Sequence, residues 1–274
     1  MKQEKGLVHD GSSSKEGRRD ELEKLFAMMT ASRHCVAFTG AGVSTFSGIQ
    51  DFRGKHGLYR TTNANKIFDI SVFRQDPSYY YSMTADFIYG LDEKKPSIVH
   101  LVLAELERRD IVRAVITQNI DLLHQKAGSR HVIEIHGSPD PHHCTRCGEA
   151  MSFADAAAIV RGGGIPHCPR CGAVMKPDIT FFGESLPQRA IMEAMAEAES
   201  ADLMLVLGSS LTVYPAASLP EWTLDSGGAI VIVNDMPTHL DGRARLRFTE
   251  LGPVFEYLAE RLGMQRDGSG ALQK

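Results

Sequence analysis

Short unbroken apolar runs alternate along the chain with longer stretches in which apolar residues recur every three or four positions. Leu22, Leu25, Phe26 and Met29, with charges between them, predict an amphipathic helix over residues 20–32. Ile98, Leu101, Leu103 and Leu106 predict a second, ending at Arg108 and Arg109, where cations suit the helix dipole. Leu186–Ser200 reads as a third, with Pro187 in its first turn, and Pro253–Leu262 as a fourth, closed by Gly263. Between them lie Cys35–Thr39, Val112–Thr117, Val132–Ile135, Leu203–Leu207 and Ala229–Val233. Runs this apolar fit strands covered on both faces, so the expected fold class is α/β with a parallel sheet between helices.

Each run is followed by small or polar residues: Gly40-Ala41-Gly42, Gln118-Asn119-Ile120-Asp121, His136-Gly137, Gly208-Ser209-Ser210 and Asn234-Asp235. In open α/β sheets ligands bind beyond the carboxyl ends of the strands, so these five ends predict one site. Two stretches interrupt the alternation. Residues 54–97 carry Tyr59, Phe68, Phe73 and Tyr79–Tyr81 and predict a mostly helical insertion, and residues 138–178 carry four cysteines. Residues 1–17 and 264–274 lack periodicity and are expected to be a flexible leader and tail.

The chain has 274 residues, 43% hydrophobic and 23% charged, which suits a globular protein with a sizeable core. No apolar run is long enough to span a bilayer, and Met1–Lys15 has no apolar core of the secretory kind. Neither a membrane nor a secretory route is therefore expected, and the anticipated location is cytoplasmic. With 30 Lys and Arg against 34 Asp and Glu the net charge is −4, which excludes a general attraction for nucleic acid. An anionic ligand has to be held locally.

Cys144-Thr145-Arg146-Cys147 and Cys168-Pro169-Arg170-Cys171 are two Cys-x-x-Cys knuckles, each followed by glycine, with residues 148–167 between them. The spacing predicts a four-thiolate site for one structural Zn2+; the ligand set alone would also accept iron. His142, His143 and His167 near the knuckles read as solvated loop residues, and Cys35 as a buried apolar thiol. Gly40-Ala41-Gly42 after a strand lets backbone approach a pyrophosphate. Thr45 replaces the third glycine of the usual dinucleotide fingerprint, so taken alone the loop fits a nucleotide site or a tight turn. Asp51, Phe52 and Arg53 downstream offer an aromatic cover and a cation beside a phosphate, or a surface ion pair around a core Phe. His136 at a strand end fits a general base or a structural hydrogen-bonding residue, while Asn119 and Asp121 fit a neutral polar ligand group or an ordinary turn.

Gly40-Ala41-Gly42-Val43-Ser44 with Ser47-Gly48-Ile49 and Asp51-Phe52-Arg53, then Thr117–Asp121 with Leu123-His124, then His136-Gly137, the knuckles, Lys176-Pro177-Asp178, Phe181-Phe182-Gly183-Glu184, Gly208-Ser209-Ser210-Leu211 and Val233-Asn234 resemble the sirtuins, in that order. The resemblance covers about residues 20–262. It implies an NAD-dependent protein lysine deacylase. A Rossmann-like large domain would comprise residues 18–53, 98–137 and 179–263, and a small domain the helical insertion 54–97 and a zinc ribbon 138–178. By the same resemblance, the cofactor-binding set would be Gly40, Ala41, Gly42, Ser44, Ile49, Asp51, Phe52, Arg53, Gln118, Asn119, Ile120, Asp121, Gly208, Ser209, Ser210, Asn234 and Asp235.

Within that set Asn119, Asp121 and Ile49 would line the nicotinamide pocket and Phe52 would shield the anomeric carbon, with His136 as catalytic base assisted by Asn119 and Asp121. Acyl-lysine would run between Thr180, Phe182, Gly183 and Glu184 on one side and Val213 on the other, paired by backbone. The products would be nicotinamide and 2′-O-acetyl-ADP-ribose, and the partners acetyl-lysine proteins; mono-ADP-ribosyl transfer from the same site is the alternative. A monomer is expected, as is common in the family. Gln50 stands where the family has Pro, Ser209 where it has Thr, and Thr180 where it has an aliphatic residue. None of Tyr79, Tyr80 or Tyr81 is followed three residues later by Arg, the pair that binds acidic acyl groups, so acetyl and longer apolar chains are expected and succinyl is not.

Overall fold

A computed structural model of the protein describes residues 15–51, 57, 64–266 and 272–273. In chain order the first elements are α1 (Lys15–Ala31), β1 (Cys35–Thr39), a 3-10 segment (Ala41–Ser47), α2 (Ala64–Ile67), α3 (Ile70–Gln75) and α4 (Pro77–Thr84). There follow α5 (Ile98–Arg108), β2 (Val112–Thr117), α6 (Leu123–Ala127), β3 (Val132–Glu134), β4 (Gly137–Cys144), β5 (Ala150–Met151), α7 (Phe153–Arg161) and β6 (Met175–Ile179). The last are α8 (Gln188–Ser200), β7 (Leu203–Leu207), α9 (Leu219–Asp225), β8 (Ala229–Val233), β9 (Leu246–Phe248), α10 (Leu251–Arg261), β10 (Gln265–Arg266) and β11 (Leu272–Gln273).

Among the described residues the large sheet has the order β3-β2-β1-β7-β8-β9, and every pair is parallel. The chain winds outward from β1 in one direction, then returns to β7 and winds in the other. Loops leaving β1 and β7 therefore diverge to opposite faces, which opens a crevice above that pair of strands. Strand residues alternate between the two faces. Cys35 and Ala37 pack with Leu25 and Met29 of α1, Leu103 of α5 and Phe255 of α10. Val36 and Phe38 pack with Ala194 and Ala198 of α8 and Leu219 of α9. Burial also pushes the Cys35 thiol far above its ordinary pKa, as befits an inert core residue.

A second sheet, ordered β5-β4-β6, is antiparallel. Beside it a third core joins the insertion helices to α7 through Phe68, Phe73, Tyr80, Tyr89 and Phe153, and takes in Ile179 and Phe181 from the chain leaving β6. Phe181 meets Phe73 edge-on at 5.5 Å and Phe68 at 5.8 Å, a favoured aromatic geometry. Caps fix where the short helices start: Asp69 accepts from the Ser71 and Val72 amides at 2.7 and 3.0 Å, and Ser152 accepts from the Asp155 amide at 3.1 Å.

Several expectations are corrected. The first helix starts at Lys15, not residue 20, so the end of the expected leader is helical. Gln265–Arg266 pairs antiparallel with Leu272–Gln273 where a tail without regular structure was expected. His142 is fully buried rather than solvated, with Nε2 2.9 Å from the Tyr89 hydroxyl, and His143 is half-buried with Nδ1 2.7 Å from Asp178 Oδ1, whereas His167 is exposed.

Candidate active site

Above β1 and β7 the backbone packs so tightly that side chains are excluded. Gly40 donates to the Leu207 carbonyl at 3.0 Å and Gly42 to the Gly208 carbonyl at 2.9 Å. Gly208 has φ of +60°, and a Cβ there would lie 2.7 Å from the Val43 nitrogen, so glycine is required. This crossing forms the floor of a cleft of about 840 Å³ between the two sheets. Ala41, Gln118, Asn119, Ile120 and His136 continue its wall, joined by Ser209, Ser210, Asn234 and Asp235 from the ends of β7 and β8. Asp51 lies at its edge; Thr180, Phe182, Gly183, Glu184 and Val213 close the other side.

Ser44 and Asp121 stand immediately behind this wall. The Ser44 hydroxyl donates to Asp121 Oδ2 at 2.5 Å and accepts from Asn119 Nδ2 at 3.1 Å; the Asn119 amide also donates to the Gly40 carbonyl at 3.0 Å. Asp121 Oδ1 accepts from the Leu123 amide at 2.9 Å. All three side chains are buried, so the bonds fix their orientation. Ile49 is half-buried and packs against the third core. Phe52 and Arg53 lie outside the described residues. The Gln118 side chain donates to Ser209 Oγ at 2.7 Å, linking the ends of β2 and β7.

His136 Nδ1 is 2.8 Å from the Gln118 carbonyl oxygen, which can only accept. The proton of the neutral ring therefore sits on Nδ1 and the basic lone pair on Nε2. The next residue, Gly137, has φ of +77°, and a Cβ would lie 2.0 Å from the Asp178 carbonyl oxygen; this close approach seats the base against the start of β4. Two residues upstream, Glu134 is half-buried with Oε1 unpartnered, and burial pushes its carboxyl up to about 7. Sequence reasoning passed over Glu134, Phe68, Leu186, Gln188, Ile191 and Met236, of which all but Glu134 line the cleft. Neither spacing nor residue type singles them out.

The four knuckle sulfurs lie within 4.8 Å of one another, with Cys144–Cys171 at 3.4 Å and Cys147–Cys168 at 3.5 Å. A tetrahedral site with Zn–S bonds of about 2.3 Å needs edges of about 3.8 Å, so the cluster fits one zinc ion. Backbone amides of Arg146 and Cys147 point at Cys144 Sγ from 3.4 and 3.5 Å, as suits a thiolate. Four protein ligands would fill the coordination sphere, and none of the four cysteines lines the cleft, so a bound zinc would act structurally, tying the end of β4 to the turn that precedes β6.

Fold and site together define a dinucleotide-type α/β protein with a second, metal-stapled sheet facing its ligand crevice. Comparison with known proteins agrees. A family model described as the Sir2 family matches residues 40–215. The chain is 43% identical over 228 residues to the NAD-dependent protein deacetylase of Thermotoga maritima, covering 83% of this chain and 92% of that protein. It is 44% identical over 223 residues to NAD-dependent protein deacylase 2 of Archaeoglobus fulgidus, covering 81% and 88%. Sir2Tm bound to a propionylated peptide superposes with a TM-score of 0.80 at 40% identity, covering 88% of this chain and 98% of that one. A Sir2 variant solved with a deacetylated p53 peptide and 3′-O-acetyl ADP-ribose gives 0.84 at 40% identity, covering 89% and 99%. The chain belongs to the Sir2 family, the sirtuins.

Proposed function

We propose that this protein is an NAD-dependent protein lysine deacetylase that, consuming one water, moves the acetyl group of acetyl-lysine to ADP-ribose and releases the free lysine amine, nicotinamide and 2′-O-acetyl-ADP-ribose. The observation that carries the reading is His136, held through Nδ1 by the Gln118 carbonyl at 2.8 Å at the wall of the cleft that the glycine crossing floors. NAD, when bound, supplies an anomeric carbon from which nicotinamide departs and to which the acyl oxygen bonds. His136 Nε2 takes the proton of a ribose hydroxyl and so makes it the nucleophile toward the acyl carbon. Asp121 keeps lone pairs beyond those spent on Ser44 and Leu123, enough to accept from a carboxamide, and Asn119 is locked beside it. Gly40, Ala41 and Gly42 bring backbone to the diphosphate, Ser209 and Ser210 offer hydroxyls, and Asn234 and Asp235 face the adenosine half. Ile49 and Ile120 close the pocket, and Asp51 stands at its edge.

Among the described residues no Lys or Arg lines the cleft, which supports acetyl and apolar acyl groups over succinyl. Two cores flanking the large sheet, and a third that joins the insertion helices to α7, support the division into a large domain of residues 18–53, 98–137 and 179–263 and a small one of residues 54–97 and 138–178, with Ile179 and Phe181 bridging from the large domain into the third core. No described helix is long and apolar enough to cross a membrane. A cytoplasmic, monomeric protein acting on acetylated proteins, without direct contact to nucleic acid, is part of the same reading; four thiols kept reduced for a metal support that compartment.

The test is mass spectrometry of an acetyl-lysine peptide incubated with NAD and either the wild type or His136→Ala. Stoichiometric nicotinamide and acetyl-ADP-ribose, absent in the variant, is the expected result. NAD cleavage with the peptide still acetylated, or ADP-ribose on protein, would overturn it in favour of mono-ADP-ribosyl transfer.

A further inference from the structure

Glu184 lines the cleft, yet its carboxylate is already engaged. Oε2 accepts from the Phe181 amide at 2.8 Å and pairs with Lys176 Nζ at 2.9 Å. Lys176 Nζ also donates to the carbonyls of Pro177 at 3.1 Å and Ile179 at 2.8 Å, which uses all three ammonium hydrogens. The same nitrogen stands 4.1 Å over the centre of the Phe181 ring. The side chains of Lys176 and Glu184 are 15% and 27% exposed, so water competes little for them. Burial lowers the pKa of Lys176, and Glu184 and Asp178 offset this against the nearby Arg74. The result is a knot that closes the chain on itself between β6 and Glu184.

What the knot holds is one wall of the cleft. Thr180, Phe181, Phe182 and Gly183 all line it. The insertion grips this segment from outside: Phe182 donates to the Phe68 carbonyl at 2.7 Å, and Ile70 donates to the Phe182 carbonyl at 3.1 Å. From the β6 side the segment is gripped by Lys176 and Glu184. With Lys176 replaced, Phe181 keeps its aromatic neighbours but loses the cation on its face, and Glu184 loses the charge that draws it back.

We propose that Lys176 and Glu184 are positioning residues that fix the Phe181–Gly183 wall against the acyl-lysine side chain, and so set the length of acyl chain the channel accepts. The inference rests on the deacylase reading above. Neither residue touches the β1–β7 crossing or the Ser44–Asn119–Asp121 cluster. Their loss is therefore felt by the acyl peptide and not by the dinucleotide.

The experiment uses full-length Lys176→Met, Glu184→Gln and Lys176→Arg, assayed with acetyl and octanoyl forms of one peptide at saturating NAD, and with NAD varied at saturating peptide. For Lys176→Met and Glu184→Gln the acetyl-peptide KM is expected to rise roughly tenfold, as for loss of a charge-assisted bond, with the NAD KM held within about twofold. The ratio of kcat/KM for octanoyl over acetyl rises in both. Lys176→Arg, which keeps a cation over the Phe181 ring, returns the ratio toward the wild type. Glu184→Gln alters only the acceptor's charge and carries the same expectation if the methionine variant does not accumulate. An unchanged octanoyl-to-acetyl ratio, or peptide and NAD KM values that move together, overturns the inference. A wild type without activity on either peptide would instead sink the deacylase reading on which it stands.

Discussion

Replacing Glu134 by Gln should stabilise the protein at alkaline pH and leave it unchanged in acid. Glu134 ends β3 two residues before His136, with Oε1 buried and unpartnered. Burial is the main cause that raises its carboxyl from 4.5 to about 7; the Gln125 side chain opposes the rise, and Asp121 and Asp140 add to it. An unfolded chain loses this proton near 4.5 while the native one keeps it to about 7. Between those values the unfolded state binds fewer protons, so stability falls as pH rises, by about 1.4 kcal/mol per unit at most. The full span would amount to about 3 kcal/mol; partial exposure of the carboxyl reduces what is measurable between pH 5 and 8 to about 2 kcal/mol. Gln cannot ionise, so its stability advantage over the wild type should grow by that amount across the same interval. The single tryptophan, Trp222 in α9, provides the signal for urea unfolding at each pH. Stability curves that stay parallel from pH 5 to 8 would refute the reasoning, because they would mean that the native carboxyl ionises at the same pH as the unfolded one.

Three further outcomes are expected. Gly208→Ala forces a Cβ to 2.7 Å from the Val43 backbone at φ of +60°, and should weaken NAD binding by more than about tenfold by titration calorimetry, because backbone cannot move aside as a side chain can. Ser44→Ala removes the partner of both Asp121 and Asn119 and should lower nicotinamide–NAD exchange by roughly ten- to a hundredfold, as when a buried polar group of about 1–3 kcal/mol is left unpaired. Cys168→Ser should reduce zinc below one ion per chain by elemental analysis and melt the β4–β6 pairing, with a matching loss of amide protection.

The parts of the fold visible in the sequence are those in which one physical cause dominates. β1, β2, β7 and β8 coincide with their apolar runs because strands buried on both faces are apolar along nearly their whole length, the exposed Arg113 near the start of β2 being the exception. β9 was missed: it has three residues, and Arg247 is its middle one, an edge position that lets the guanidinium reach Asp241 at 3.0 Å and the Phe248 carbonyl at 2.7 Å. β4 was missed for the opposite reason. Pro139 and Pro141 argue against a ladder, and the strand survives because its register against β6 breaks between Gly137 and His142. The burial of His142 depends on Tyr89, which no local pattern could supply.

The same distinction runs through the site. Residues at strand ends could be listed in advance because a parallel sheet brings all its carboxyl ends to one edge, whatever the loops do. Their hydrogen-bond partners could not. Ser44 reaches Asp121 only because β1 and β2 are neighbours, and Gln118 reaches Ser209 only because the chain returns to lay β7 on the other side of β1. Glu184 shows how far this matters for function. Sequence similarity puts it in a segment that pairs with the substrate by backbone, and its carboxylate is turned to Lys176 and the Phe181 amide. A residue can thus shape a binding site through a wall it braces, and that role becomes readable only once the partner across the turn is known.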